Sequence, residues 1–430
     1  MPLLYLYNYY MEHKLSTLAD TLIGSEIVKL SGIIKEKISQ GEHIYNYTIG
    51  DFDSAQFPIP AGLLQAVKNA YDSGYTTYPI AEGEVVLRKA VVAFIENKEA
   101  LSFQLNEILI AAGGRPLIYA LFRAIVDKGE KVIYPVPSWN NNHYAHFTEA
   151  EHVQIPALEQ NNFMPTAAQI KPHVKGASLV ALCSPLNPTG TVFSKEALEQ
   201  ICDIIIEENE QRAEGQKKLY LMYDQMYWTL TFGNTVHYNP ISLRPQMKHY
   251  TIFIDGISKV FAATGVRVGW ALGPAQVIAK MKIINSHMGA WAPMAEQHAV
   301  AAYLAQQEVV NEDIINFKQA IAYRLEHLYD GFMALKNDGY LVNAIKPQAA
   351  IYLTVEFNLV GQVLNGKALQ NQAEVTAYLL NEAKLALVPF SAFGADSNSS
   401  WYRLSVGCVK KEDIPIVFVK LREALAKLQA

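Results

Sequence analysis

Lys259 closes the run Gly256, Ile257, Ser258 and is followed eight residues later by Arg267. It stands just past an apolar stretch, Thr251 to Ile254, that reads as a strand. An amine at a strand end, within a turn's reach of an arginine, suits a nucleophile that forms a Schiff base beside a bound phosphate. Most lysines are solvated surface charges, so the pairing carries weight only if other segments complete a site.

Three segments do. Ala111, Ala112, Gly113, Gly114, Arg115 and Pro116 follow the apolar stretch Glu107 to Ile110 and open a helix with proline in its first turn. Two glycines let the backbone approach a ligand, and the free amides of a helix start favour a phosphate. Taken alone, a tight turn with no ligand explains them equally well. Ser184 to Gly190 reads SPLNPTG after a buried run, a rigid turn that holds Asn187 in one orientation to donate to an anionic oxygen. Tyr223, Asp224, Gln225, Met226 and Tyr227 end another apolar run. There Asp224 can stay ionised against a protonated ring nitrogen, or it is only a helix cap.

The elements that position these residues follow from hydrophobic pattern. Lys131 to Tyr134, Ser178 to Cys183, Lys218 to Tyr223, Thr251 to Ile254 and Val268 to Leu272 read as strands without polar alternation, buried on both faces. Helical spacing over Pro116 to Asp127, Ser194 to Glu210 and Pro274 to Ser286 separates them. This alternation predicts an α/β fold with a mostly parallel central sheet flanked by helices. Beyond about residue 302 the pattern turns mixed: a long helix near Asn311 to Leu335, strands at Ala349 to Val355, Ala386 to Val388 and Tyr402 to Val406, and helices near Glu374 to Ala383 and from Lys411. We expect a smaller α+β domain built from both chain ends: residues 1–55 as arm and part of it, 56–302 as the large domain, and 303–430 as the rest.

Composition narrows the partners. The chain has 430 residues, half of them hydrophobic and 18% charged, with a formal charge of -5 and no run of like charges, which argues against nucleic acid and anionic membrane. No apolar run approaches the roughly 20 residues of a membrane helix. Cys183, Cys202 and Cys408 show neither disulfide nor metal spacing, so a cytoplasmic location is expected. Met1 to Tyr10 read as an added arm or start-site artefact, with Met11 a plausible start. His143, His146 and Glu149 decorate one helix, a pattern more often solvated than metal-binding, and no metal is expected.

Taken in order along the chain, these strings resemble the class I aminotransferases of the aspartate aminotransferase family, pyridoxal 5'-phosphate enzymes of fold type I. The resemblance implies that Lys259 holds the cofactor as a Schiff base and moves the substrate Cα proton. Asp224 would face the pyridine nitrogen, Tyr227 and Asn187 the ring oxygen, and Trp139 the ring face. Arg267, with Gly113, the amides of Gly114 and Arg115, and Ser258, would hold the phosphate. Arg403, in Trp401 to Ser405, would grip the substrate carboxylate, with Gly50 lining that pocket. Tyr78 would reach the phosphate of a neighbouring subunit, which implies a homodimer with shared sites.

Two departures stand out. Gly256 occupies a position where many relatives carry a phosphate-binding hydroxyl, and Asn285 to Ala292 lacks the arginine with which aspartate-preferring relatives often bind a distal carboxylate from the partner subunit, which leaves dicarboxylate specificity open. The activity expected is transfer of an amino group from an L-amino acid to a 2-oxo acid, 2-oxoglutarate by preference, in a ping-pong sequence. A β-lyase or an ACC-synthase-like elimination on the same cofactor is the alternative. A regulator using the same fold would need a DNA-binding segment ahead of it and would not need Lys259, Asp224 and Arg403. Lys259→Ala is expected to lower turnover roughly a thousandfold or more and to remove visible cofactor absorption. Steady-state assay and a spectrum of the purified variant check this.

Overall fold

The computed structural model describes residues 15–24 and 26–429; the Met1 to Tyr10 arm and Met11 lie outside the described residues. Seven strands form the principal sheet: β1 (Ile108–Ala111), β2 (Lys131–Val136), β3 (Glu151–Pro156), β4 (Ala177–Cys183), β5 (Tyr220–Asp224), β6 (Thr251–Gly256) and β7 (Gly269–Leu272). Their order is β1-β7-β6-β5-β4-β2-β3. Neighbours from β6 to β3 are parallel, and β7 alone runs antiparallel, to both β6 and β1. The fold is thus α/β with a mostly parallel sheet.

Alternation of side chains explains why these strands show no polar face. Leu221, Tyr223 and Phe253 enter the core on one side of the sheet, and Met222, Ile252 and Ile254 enter the core on the other. Helices α1 (Gly114–Ile125) and α2 (Lys195–Gln211) belong to the two covering layers, with Leu117 and Leu121 in one core and Leu198 and Ile201 in the other. Ser194 starts α2 by accepting a hydrogen bond from Ala197 N at 3.2 Å. β3 is not evident in the sequence because it is an edge strand whose residues are mostly exposed, so it carries no apolar run.

A second core gathers both chain ends. Strands β8 (Val342–Ala344), β9 (Tyr352–Phe357), β10 (Val388–Pro389) and β11 (Trp401–Ser405) form an antiparallel sheet in the order β10-β11-β9-β8. The stretch expected as one strand, Ala386 to Val388, is divided. Leu385–Ala386 pairs in parallel with Tyr45–Asn46 from the N-terminal side, and only Val388–Pro389 joins the sheet. Tyr45 and Tyr47 pack in this core with Leu328, Leu353, Leu404 and Leu421. Leu328 comes from the 31-residue helix Gln307–Asn337, longer at each end than its apolar stripe.

The joint between N- and C-terminal segments is tight. Asp53 N donates to Gly407 O at 3.0 Å, and a Cβ on Gly407 would fall inside contact distance of Asp51 O and 3.0 Å from Asp51 C. Backbone cannot yield as a flexible side chain can. Gly407→Ala should therefore displace residues 50–53 and cost about 1–3 kcal/mol, read as a lower urea midpoint at unchanged slope.

Candidate active site

Because β7 runs against its neighbours, its first residue lies level with the last residue of β6. Gly256 pairs with Gly269, and Gly269 with Ala111. The backbones here leave no room for side chains: a Cβ on Gly256 would stand 2.8 Å from Gly269 Cα, and one on Gly269 would stand 2.7 Å from the Gly113 carbonyl carbon. This supplies a reason for the departure at Gly256, where any hydroxyl-bearing side chain would collide with β7. Arg267, just before β7, takes a left-handed φ of 62°. Its Nη1 donates to Thr264 O at 2.8 Å and its Nη2 to Ala112 O at 2.7 Å, which aims the guanidinium at the start of α1.

Strand ends and both chain ends converge on a cleft of about 960 Å³. Gly114, Arg115, Trp139, Asn187, Asp224, Tyr227, Ser258, Lys259, Arg267, Gly50 and Arg403 all line it. Lys259 Nζ donates to Gly50 O at 2.5 Å. Burial pushes its pKa down to about 8; nearby Asp51 opposes this, and Arg403, Arg115 and Arg267 reinforce it. Asp224 moves the other way, up to about 6 by burial, against the N–H of Met226, which donates to its Oδ1 at 3.1 Å. Arg403 is buried, with Nη1 donating to Asn187 Oδ1 at 3.1 Å and Nη2 to Thr48 O at 2.6 Å. Its Nε has no hydrogen-bond partner among the described residues.

With Asn187 Oδ1 taken by Arg403, its amide N–H₂ is left to donate elsewhere. The Tyr227 hydroxyl lies 2.6 Å from that of Tyr352, and the Tyr352 ring stacks 4.8 Å below the Arg403 guanidinium. Tyr352 was not anticipated. It sits at the start of β9 inside an ordinary apolar run, and only its tyrosine hydroxyl in a buried strand hinted at a polar partner.

The sequence model of the family described as "Aminotransferase class I and II" matches residues 42–421. The chain belongs to this aminotransferase family. It is 30% identical over 390 residues to an aspartate aminotransferase of Bacillus sp. strain YM-2, covering 90% of this chain and 94% of that one. It is 29% identical over 399 residues to an asparagine–oxo-acid transaminase of Streptococcus mutans, covering 91% and 92%. Among solved structures, the aspartate aminotransferase of Rhizobium meliloti superposes with a TM-score of 0.87 at 24% identity, over 97% of this chain and 100% of that one. That of Thermus thermophilus with maleate gives 0.85 at 25%, over 96% and 100%.

The residues of this aminotransferase fit pyridoxal 5'-phosphate. Gly113 takes a φ of 86° at the start of α1, and a Cβ there would stand 2.8 Å from Arg267 Cζ, so the glycine keeps open the space between the helix start and Arg267 in which a phosphate would fit. Trp139 offers a flat face, with Arg115 stacked at 4.7 Å on its ring. Tyr78 is the exception: it is 86% exposed and lies in another groove beside Trp291, at a ring separation of 5.6 Å. The chain's own fold does not bring it to the cleft. His143, His146 and Glu149 go separate ways, His143 to the cleft, His146 to Leu18 O at 3.1 Å and Glu149 to Lys128 at 2.5 Å.

The lowered pKa of Lys259 sets a pH dependence. If Lys259 is the group that takes up pyridoxal 5'-phosphate, its neutral amine would be the attacking form, and below about pH 8 that fraction falls about tenfold per unit. Uptake of pyridoxal 5'-phosphate by cofactor-free protein should rise with pH and level off above about 8.5. Stopped-flow absorbance checks this, and a plateau near 10.5, the ordinary lysine value, would contradict it.

Proposed function

We propose that this aminotransferase uses pyridoxal 5'-phosphate to move the amino group of L-aspartate, or of L-asparagine, to 2-oxoglutarate in two alternating half-reactions. The convergence of Lys259, Asp224, Asn187 and Arg403 on one cleft carries the reading, and the aspartate and asparagine transaminases among its relatives support the donor class. Arg267, Ser258 and the backbone at Gly113, Gly114 and Arg115 would hold the phosphate, Asp224 the ring nitrogen, Asn187 and Tyr227 the ring oxygen, and Lys259 the aldehyde carbon. When bound, the cofactor supplies an electron-accepting ring for the negative charge left at the substrate Cα.

The protein's own groups do the rest. Arg403 binds the substrate carboxylate through a guanidinium whose Nε is unpaired and whose Nη groups are fixed by Thr48 and Asn187. That grip sets which Cα bond faces Lys259. Lys259, with a pKa near 8, takes the Cα proton as a neutral amine and returns it as an ammonium near neutral pH. Asp224, ionised, holds the proton on the ring nitrogen, and burial makes that pairing strong.

A homodimer in the cytoplasm completes the proposal. The groove holding Tyr78 also contains Tyr71, Tyr75, Trp291 and Met294, an aromatic surface suited to a second copy, which would bring Tyr78 to the other cleft. The test is the absorption spectrum of purified protein before and after adding L-aspartate, L-asparagine, L-glutamate, L-tyrosine or L-alanine singly, with no oxo acid. Conversion of the visible band to a near-ultraviolet one by L-aspartate or L-asparagine, reversed by 2-oxoglutarate, is expected. Release of ammonia with the visible band retained would identify a lyase instead, and conversion by L-tyrosine or L-alanine alone would overturn the donor class.

A further inference from the structure

The far side of the same sheet edge holds a buried carboxyl to which the proposed reaction gives no part. Asp255 precedes Gly256 at the end of β6 and is 2% exposed. Its neighbour Ile254 lines the cleft, so Asp255 faces away from it. Asp255 Oδ1 accepts from Gly256 N at 2.7 Å, and Oδ2 accepts from Trp228 Nε1 at 2.8 Å. Trp228 follows Tyr227 in the turn after Asp224, and Gly256 is the residue from which the short helix Ile257–Val260, bearing Lys259, begins. One carboxyl therefore joins the two turns that carry Asp224, Tyr227 and Lys259.

The arrangement is costly as mere packing. Both partners are neutral N–H donors, and the nearby charged groups that act on Asp255 are the carboxyls of Glu99 and Asp224. A carboxyl buried without a cation is disfavoured, and a neutral residue of similar size would fill the space at less expense. The same turn is tied a second time: Gln225 Nε2 donates to the buried carboxyl of Glu99 at 2.9 Å, and Gln225 N donates to Ile254 O at 3.0 Å. Apart from the bond between Asp255 and its neighbour Gly256, each of these bonds runs between the Asp224 turn and an element packed against it, β6 or the buried Glu99.

We propose that Asp255 is a positioning residue, which fixes the separation and angle between the Asp224–Tyr227 turn and the helix start carrying Lys259. It touches neither substrate nor cofactor and acts only through Trp228 and Gly256. The inference rests on the function proposed above. A small misplacement between a proton-transferring amine and the ring it serves lowers the rate of chemistry more than it lowers binding.

The test compares Asp255→Asn and Trp228→Phe with wild type, each as holoenzyme and after cofactor removal. Expected for Asp255→Asn is a melting temperature near or above that of wild type, a KM for the amino donor within about threefold, and a kcat lower by about tenfold or more. Uptake of pyridoxal 5'-phosphate by the cofactor-free variant should slow by a comparable factor, a readout that does not depend on turnover. Trp228→Phe, which removes one of the two bonds, should move kcat and uptake in the same direction by less, and it decides the matter if Asp255→Asn does not fold. Rates within twofold of wild type, or a loss of kcat that only tracks loss of folded protein, would overturn the positioning role alone. Failure of wild type to take up pyridoxal 5'-phosphate would overturn both it and the function on which it rests.

Discussion

Of the cations that line the cleft, three, Lys259, Arg267 and Arg403, donate to main-chain carbonyls and none of these three to a carboxylate. Lys259 donates to Gly50 O, Arg267 to Thr264 O and Ala112 O, and Arg403 to Thr48 O. A carbonyl orients a cation and satisfies its N–H groups without cancelling its charge. A carboxylate in the same place would neutralise the cation and compete with an anionic ligand for it. The positive charge of these three groups is thereby kept available, as the phosphate and substrate carboxylate of the proposed function would require, and the cost falls on the stability of the ligand-free fold.

That constraint accounts for the architecture around it. Carbonyls can be aimed only by fixing backbone, so each cation needs a rigid segment beside it. Gly50 and Thr48 are held because Tyr45–Asn46 pairs with Leu385–Ala386 and because Ser405 N donates to Tyr47 O at 2.9 Å. Arg403 lies on β11, the next-to-edge strand of the smaller sheet, so its carbonyl partner and its own strand come from opposite chain ends. Ala112 and Thr264 lie at one edge of the large sheet because β7 reverses direction there. Glycines 113, 256 and 269 permit that reversal to bring backbones into contact.

These facts also explain which parts of the site the sequence discloses. Lys259, Asp224 and Asn187 follow apolar runs, Arg267 precedes one and Arg403 interrupts one, and a chemically committed side chain in or beside a buried strand is visible in one dimension. Carbonyl partners are not visible, because every residue has one and Thr48 or Gly50 shows its role only after both chain ends meet. Tyr352 was hidden inside an apolar run, and Asp255, although it directly follows the run Thr251 to Ile254, belongs to no motif that would mark it. The large sheet was legible except for β3, whose exposure removes the apolar signal, and the split at Leu387 was illegible because two short pairings there use different partners. Tyr78 shows the converse: its string is legible, but the chain's own fold leaves it exposed in a different groove, away from the cleft.

The same burial acts in opposite senses on Asp224 and Lys259. Asp224 rises from 3.8 to about 6, so its ionisation in the folded protein weighs against folding increasingly between those values and fully above them. Lys259 falls from 10.5 to about 8, so its protonation weighs against folding increasingly as pH drops between those values and fully below them. In the ligand-free protein both penalties are therefore complete between about pH 6 and 8. In the proposed function, a cofactor held by Asp224 at its ring nitrogen and by Lys259 would relieve both at once. The pH range in which the empty cleft is least favourable is thus the range in which filling it stabilises the fold most. Cofactor affinity and the poise of Lys259 and Asp224 would then come from one source, the desolvation that shifts both groups.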